Sequence, residues 1–243
     1  MTAATRVDLD IDTVHRAYAR WAPFYDFVFR AVFETGRQAA VAAAERIGGR
    51  ILEVGVGTGM SLPEYSRNSV ICGIDISAPM LRKAQEKVTE LRLKNVEGLW
   101  EMDAEKMNFP DASFDVVVAQ HVVTTVPNPE ATLDEFARVL KPGGEIVLIS
   151  RVGAEAGIRL TFERWFSPAA CKLGWRSDFS WQRYDTWLRR NSDIVLVERR
   201  PIPPFGHFSL IRFAKADALD VGALGVATLG VANGSLKSTR NVG

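Results

Sequence analysis

Ile51-Leu52-Glu53-Val54-Gly55-Val56-Gly57-Thr58-Gly59 joins an apolar, β-branched run to a turn with three glycines. The run predicts a buried strand, and the glycines let the backbone turn sharply and lie against a ligand where a Cβ atom would collide. A dinucleotide fingerprint, G-x-G-x-x-G, would need its third glycine at position 60, which is Met60. The spacing here is G-x-G-x-G, so the turn departs from the dinucleotide pattern.

Other apolar runs alternate with helical patterns along the chain. Five predicted strands are Arg50–Gly55, Val70–Asp75, Val96–Met102, Phe114–Gln120 and Glu145–Ser150. Short strands separated by helices pair in parallel through right-handed crossovers, which predicts an α/β, doubly wound sheet with helices on both faces. Two further runs, Asp193–Glu198 and Phe208–Phe213, are joined by the turn Pro201-Ile202-Pro203-Pro204. They predict an antiparallel hairpin at the edge of a mostly parallel, seven-stranded sheet.

The helix after the second predicted strand carries the clearest boundary signals. Ser77 can cap this helix, and Pro79 suits its first turn. Its predicted apolar face consists of Leu81, Ala84, Val88 and Leu91. A later helix is predicted to end at Leu140, because Lys141-Pro142-Gly143-Gly144 stops it before the fifth strand.

The chain divides into three parts. Residues 1–46 have a helical apolar pattern that Pro23 interrupts. Residues 47–213 carry the predicted sheet, with a basic, tryptophan-rich helical insert at 155–190. Residues 214–243 become rich in alanine, glycine and valine and then polar, which predicts a poorly ordered tail.

Composition and charge narrow the functional classes. With 243 residues and 47% apolar content, the chain can build one sizeable domain. A formal net charge of +1 argues against a global electrostatic grip on nucleic acid. Cys72 and Cys171 match no metal-ligand spacing, so no metal site is predicted, and the apolar run around Cys72 predicts a buried thiol.

Neither end of the chain predicts a membrane-crossing segment. The stretch from Met1 to Asp12 lacks the apolar core of a signal peptide. The apolar stretch from Val221 to Ala232 is Gly-rich and shorter than the ~20 residues that span a bilayer. The protein is therefore predicted to be cytoplasmic and, at most, to touch a membrane.

Acidic residues come at the ends of the second and third predicted strands. Asp75 can accept hydrogen bonds from both ribose hydroxyls of a nucleotide, or it can cap the following helix. Asp103, in Glu101-Met102-Asp103-Ala104, can contact the ligand or remain an exposed loop acid. Glycines and acids at the ends of three successive strands together favour a nucleotide site over these separate roles.

These motifs resemble those of class I S-adenosylmethionine-dependent methyltransferases, which have a Rossmann-like fold. The resemblance implies S-adenosylmethionine as the cofactor and S-adenosylhomocysteine as the product. It implies that Asp103 binds the adenine amino group, and that Ile76, Met80 and Met102 form apolar walls for the ring. The implied cofactor-binding residues are Tyr18, Tyr25, Glu53, Gly55, Gly57, Gly59, Asp75, Ile76, Met80, Met102, Asp103, Ala104 and Gln120.

Two further motifs resemble the quinone and phospholipid branch of these enzymes: the stretches 120–127 (QHVVTTVP) and 138–144 (RVLKPGG). A closer resemblance is to bacterial phosphatidylethanolamine N-methyltransferases of the kind found in photosynthetic purple bacteria. It covers most of residues 10–213 and is carried by the stretches 18–26, 53–63, 151–155 and 206–211. It implies methylation of phosphatidylethanolamine and its mono- and dimethylated forms to phosphatidylcholine.

The amine substrate must lose a proton before it can accept a methyl group. For an amine with a pKa near 10, this costs about 4 kcal/mol at neutral pH. His121 and Tyr25 are the candidate catalytic residues for positioning the amine or taking its proton. His121 can equally be a strand-end residue bonded to backbone, and Tyr18 and Tyr25 can equally belong to a core stripe. The resemblance favours an N-terminal helical lid whose two tyrosines line the cofactor.

A phosphodiester substrate needs a charged clamp beside the cofactor. The candidates are Arg151, Arg176, Arg183, Tyr184 and His207. The stretch from Arg151 to Arg190 holds eight Lys/Arg against four Asp/Glu, together with four of the six tryptophans. This composition predicts reversible contact with the anionic inner face of the membrane, or alternatively a partly buried cap helix.

Three other functional classes compete with a phospholipid N-methyltransferase. A quinone or other small-molecule C- or O-methyltransferase would share the cofactor residues but would need no phosphate clamp. A nucleic-acid base methyltransferase is disfavoured, because the fourth strand ends in Ala119-Gln120-His121-Val122 rather than in Asn/Asp-Pro-Pro-aromatic. A binding protein without catalysis is disfavoured by the intact glycines and acids. We therefore predict a phospholipid methyltransferase that works as a monomer and binds no nucleic acid.

Overall fold

In the computed structural model, the described residues are 25–152, 179–203 and 208–217, and the side chains of 25–33 are outside the description. The helices are α1 (Tyr25–Glu45), α2 (Ala78–Glu90), α3 (Pro129–Val139) and α4 (Trp181–Arg190). The strands are β1 (Arg50–Val54), β2 (Val70–Asp75), β3 (Val96–Glu101), β4 (Phe114–Gln120), β5 (Leu140–Arg151), β6 (Ile194–Ile202) and β7 (Phe208–Lys215). No helix among these residues combines the length and hydropathy needed to cross a bilayer.

The strands form one seven-stranded sheet in the order β3-β2-β1-β4-β5-β7-β6. Strands β1 to β5 pair in parallel, whereas β7 runs antiparallel to both β5 and β6. The predicted mostly parallel sheet with an antiparallel edge hairpin is therefore confirmed. After β3 the chain returns to the other side of β1 to begin β4, so the strand order reverses between β1 and β4. In open α/β sheets, ligands bind outside the carboxyl ends of the strands at such a reversal.

Helices cover both faces of the sheet, as predicted. On one face, Ala40 and Val41 of α1 join a buried cluster with residues of the parallel strands. On the other face, Phe136 of α3 and Trp187 of α4 belong to a second buried cluster, which also contains the predicted buried thiol of Cys72. The Trp187 indole N–H donates to the Asp134 carboxylate at 2.7 Å, which fastens α4 to α3.

The predicted stop before the fifth strand is a bulge within that strand. Strand β5 begins at Leu140, so Lys141-Pro142-Gly143-Gly144 lies inside it, between residues that pair with β4. The Lys141 ammonium lies 2.9 Å from both carboxylate oxygens of Asp115 on β4, and this ion pair holds the bulge in place.

Both strands of the edge hairpin are longer than predicted. Strand β6 runs to Ile202 and includes Pro201, which an edge strand tolerates because the missing N–H can face solvent. Strand β7 runs to Lys215, whose ammonium donates to the carbonyl oxygens of Ala137 and Leu140 at 2.7 and 3.1 Å. A lysine here satisfies carbonyl groups at the carboxyl end of α3. Residues 218–243 lie outside the described part of the chain.

The two ends of α2 differ from the sequence prediction. Ser77 occupies the N-cap position, but its hydroxyl makes no capping bond. The Asp75 carboxylate instead accepts the Ser77 backbone N–H at 2.9 Å. At the other end, Leu91 lies past the last helical residue and is 49% exposed, so it does not belong to the apolar face.

Candidate active site

A pocket lies at the carboxyl ends of the parallel strands, where the strand order reverses between β1 and β4. It is lined by Val54, Gly55, Gly57, Ile74, Asp75, Ile76, Met80, Met102, Asp103, Ala104, Gln120, His121, Val122, Thr125, Val126 and Pro127. The lining includes most residues that the glycine turn and the strand ends predicted. Because parallel strands share one carboxyl edge, residues distant in sequence meet here.

The glycine turn has a left-handed backbone, with φ of 56° at Gly57 and 70° at Gly59. A Cβ atom on Gly59 would lie 2.8 Å from Leu62 Cδ1 and 3.1 Å from Ala84 Cβ, so this glycine lets the turn pack against α2. A Cβ atom on Gly57 would come no closer than 4.0 Å to the Gly55 carbonyl oxygen. Gly57 therefore leaves open space at the pocket, where a ligand can approach the backbone.

The Asp75 carboxylate joins the glycine turn to the end of β2. One oxygen accepts the Gly57 N–H at 2.9 Å, and the other accepts the Ser77 N–H at 2.9 Å. The capping alternative for Asp75 is thus present in the structure. A carboxylate has about four acceptor positions, so accepting backbone N–H groups is compatible with a contact to ribose hydroxyls.

The side of the pocket formed after β2 and β3 is mainly apolar. Met80 is buried, and Ile76, Met102 and Ala104 complete a wall suited to a flat ring. Asp103 lies at the end of this wall, and its carboxylate accepts the Glu105 N–H at 2.9 Å. Asp103, which is predicted to bind the adenine amino group, therefore also stabilises the loop after β3.

Glu53 lies behind the pocket rather than in its lining. One of its carboxylate oxygens accepts hydrogen bonds from the Ser61 hydroxyl and from the Gln120 amide, the latter at 3.1 Å. Burial raises the pKa of Glu53 to about 7, because ionisation there costs solvation. Gln120 does line the pocket, so Glu53 orients a residue that a ligand can contact.

Known proteins are similar to this chain in sequence and in fold. Residues 52–148 match a methyltransferase domain family. The phosphatidylethanolamine N-methyltransferase of Cereibacter sphaeroides is 42% identical over 85% of this chain and 100% of its own length. The demethylmenaquinone methyltransferase of Listeria monocytogenes is 29% identical over 74% of this chain and 80% of its own length. The solved structure of a SAM-dependent methyltransferase from Aquifex aeolicus superposes with a TM-score of 0.59 at 20% identity, covering 81% of this chain and 97% of that chain.

The chain belongs to the class I S-adenosylmethionine-dependent methyltransferases. The pocket has the chemistry that this cofactor requires. The glycine turn leaves room at Gly57, Asp75 offers carboxylate acceptors, and the wall with Met80 and Met102 suits an adenine ring. At the methyl-donor end, transfer is an in-line displacement, so the protein contributes mainly proximity and alignment.

His121 borders the methyltransferase pocket in a left-handed backbone conformation, with φ of 63°. Its backbone N–H donates to the Ile149 carbonyl oxygen at 2.7 Å, and its ring packs edge-on against the Phe208 ring with centroids 4.6 Å apart. Burial lowers the pKa of the ring to about 4, so the imidazole is neutral at physiological pH. The strand-end alternative holds for the backbone, and His121 also belongs to the pocket lining.

Two predicted phosphate ligands have other roles in the structure. The Arg183 guanidinium donates twice to the Glu130 carboxylate, at 2.7 and 2.6 Å, and lies over the Phe179 ring. Tyr184 is fully buried and its hydroxyl donates to Ser150 at 2.9 Å. Neither residue belongs to the pocket lining, so the structure gives no support to their prediction as phosphate ligands. Their hydrogen bonds instead hold α4 against the rest of the domain.

Arg151 remains a candidate phosphate ligand. It ends β5 and pairs in register with Phe208, the residue whose ring packs against His121. Arg151 is half-buried, two residues after the carbonyl that accepts the His121 N–H. The other predicted substrate and lid residues, Tyr18, Arg176 and His207, lie outside the described residues, as does the side chain of Tyr25.

Sequence reasoning missed one wall of the pocket. The missed lining residues are Val54, Ile74, Val122, Thr125, Val126 and Pro127. Four of them lie in the 120–127 stretch that indicated the branch of the family, so a signal was present. None of them is charged, which is why a search for acids and glycines passed over them.

Proposed function

We propose that this methyltransferase transfers methyl groups from S-adenosylmethionine to the amino nitrogen of phosphatidylethanolamine and of its mono- and dimethylated forms, giving phosphatidylcholine. The observation that carries the proposal is the 42% identity with the Cereibacter sphaeroides enzyme of that name, which extends over that enzyme's whole length. The cofactor site of this proposal is the pocket at the β1–β4 reversal, and Tyr18 and Tyr25 are proposed to contact the cofactor there.

The chemistry of each step follows from the substrate amine. The nitrogen lone pair forms a bond to the methyl carbon, the bond from carbon to sulfur breaks, and the electron pair goes to sulfur. S-adenosylmethionine supplies the electrophilic methyl group when it is bound, and S-adenosylhomocysteine leaves. The nitrogen must give up a proton before each transfer, and the reaction stops at the quaternary product because no lone pair remains.

His121 suits positioning of the amine better than removal of its proton. Moving a proton from an amine with pKa near 10 to an imidazole with pKa about 4 would cost roughly 8 kcal/mol. The neutral ring can instead accept a hydrogen bond from the neutral primary or secondary amine and aim its lone pair, whereas the tertiary amine of the third transfer has no N–H for this contact. In this proposal the proton leaves through water, and Arg151 binds the phosphodiester.

His121→Asn tests this role, since asparagine also tolerates a left-handed backbone. We expect kcat to fall roughly tenfold, with the KM for S-adenosylmethionine changed by less than about twofold. The pH–rate profile should keep the wild-type shape, because a ring with pKa about 4 does not titrate in the assay range. A wild-type inflection between pH 6 and 7 that vanishes in the variant would instead make His121 the base.

Contact with an anionic membrane surface is part of the same proposal. The basic, tryptophan-rich insert lies mostly outside the described residues, but α4 ends it with Arg189 and Arg190 exposed. Basic charges near an anionic surface each contribute about 1 kcal/mol, so attachment would be reversible and weakened by salt. Co-sedimentation with anionic and with neutral vesicles at low and high salt would measure it.

The assay for the function uses methyl-labelled S-adenosylmethionine, purified protein and phosphatidylethanolamine vesicles. We expect label in mono-, di- and trimethylated phosphatidylethanolamine after the lipids are separated. A parallel sample contains demethylmenaquinone, because the Listeria relative is a demethylmenaquinone methyltransferase. Label in the quinone alone, with cofactor binding intact, would overturn the phospholipid proposal.

A further inference from the structure

Two loops contribute to the lining of the pocket, and a pair of residues joins them. The first loop follows β3 and contributes Met102, Asp103 and Ala104 to the lining, while the second follows β4 and contributes residues from His121 to Pro127. Glu105 of the first loop meets Asn128 of the second. Its two carboxylate oxygens accept the backbone N–H and the side-chain amide of Asn128, both at 2.7 Å.

Both partners are held in place on their own loops. The Glu105 N–H donates to Asp103, so the residue assigned to adenine and the residue that makes the contact share one turn. Asn128 stands between Pro127 and Pro129, which restrict its backbone. Asn128 is also the N-cap residue of α3, yet its side chain makes no capping bond. Its amide is committed to Glu105 instead.

We propose that Glu105 and Asn128 are positioning residues that set the spacing between the adenine wall at Met102 to Ala104 and the loop from His121 to Pro127 in the cofactor pocket. Neither residue is in the pocket lining, so both act through the lining residues beside them. The inference rests on the proposed assignment of this pocket to the cofactor. It assigns a function to a pair of side chains that the chemistry of transfer does not use.

A second tie between the same segments provides a control. Glu135, farther along α3, accepts the Met107 N–H at 2.7 Å and pairs with Arg138. This tie also links the segment after β3 to α3, but none of its three residues belongs to the pocket lining. Glu135→Gln should therefore lower the melting temperature without weakening S-adenosylhomocysteine binding.

The decisive variants exchange donors and acceptors within the pair. Asn128→Asp places two carboxylates against each other and should weaken S-adenosylhomocysteine binding roughly tenfold in calorimetric titration. Glu105→Gln should bind within about threefold of wild type, because its amide can pair with a flipped Asn128 amide. Glu105→Gln combined with Asn128→Asp should return to within about threefold of wild type, since the new amide can donate to the new carboxylate.

If Asn128 served only as a helix cap, Asn128→Asp should keep or raise the stability of α3 and leave S-adenosylhomocysteine binding unweakened. This result differs from the loss of affinity that the positioning role predicts. Aspartate caps a helix as well as asparagine does, and its charge favours the helix amino end. Unchanged affinity of Asn128→Asp, or a double variant that binds as weakly as Asn128→Asp, would overturn the proposal. Gly57→Ala, measured alongside, tests the pocket itself: if it binds normally, the pocket assignment fails, whereas its failure to bind beside a normal Asn128→Asp rejects only the Glu105–Asn128 role.

Discussion

Gly57→Ala should abolish detectable S-adenosylhomocysteine binding, a loss of at least ~100-fold, in a protein that stays folded. The new methyl group meets no side chain of the described residues and projects into the open space at the pocket. A cofactor lying against the turn would need that space. The backbone cost of alanine at a φ of 56° is roughly 1–2 kcal/mol, too little to unfold a domain of this size.

Gly48→Ala is the matched control for this variant. Gly48 follows α1 with a φ of 72°, and a Cβ atom there would lie 3.9 Å from its nearest neighbour, the Glu45 carbonyl oxygen. Alanine at either position has a similar backbone cost, so the melting temperatures of the two variants should fall by comparable amounts. Calorimetric titration should show binding by the Gly48 variant alone. Equal binding by both would place the cofactor away from the glycine turn.

The parts of the site predicted from sequence are those that strand order alone brings together. Glycines after β1 and acids after β2 and β3 meet because parallel strands share a carboxyl edge, and no long-range contact has to be guessed. Asp75 shows the limit of such reasoning. Its position was predicted, but its bonds to Gly57 and Ser77 depend on how the turn folds back over β2.

The roles of polar residues were harder to predict where their hydrogen-bond partners lie far away in the sequence. Arg183 fitted a phosphate clamp by type, yet Glu130, its partner, lies 53 positions away on another helix. Nothing in the local pattern reveals that pair, because it forms only when α4 packs beside α3. Tyr184 shows the same limit: its hydroxyl has a buried acceptor in Ser150, on a strand that sequence places but cannot orient.

Uncharged lining residues are a third class, since their importance comes only from the reversal of strand order. Thr125, Val126 and Pro127 follow β4, which lies beside β1 although β2 and β3 intervene in the chain. Their side chains carry no polar pattern that marks a site. The Glu105–Asn128 contact depends on the same reversal, so the sequence offered no basis for predicting it.

Glu53→Gln should remove a pH dependence of stability that the wild-type protein shows. Burial raises the pKa of Glu53 to about 7 in the folded protein, whereas an unfolded glutamate titrates near 4.3. Between these values the folded state keeps a proton that the unfolded state has lost. The free energy of unfolding therefore falls as pH rises through this window, by roughly 4 kcal/mol in total, and is highest below it.

Denaturant unfolding at pH 5, 6, 7 and 8 measures this slope. The Glu53→Gln variant should lack the Glu53 part of the decline, while a Glu86→Gln variant, changed at an exposed position, should follow the wild-type curve. The glutamine introduced at position 53 can still accept the bonds from Ser61 and Gln120, so the comparison isolates the charge. A decline of wild-type size in Glu53→Gln would place the titrating group elsewhere.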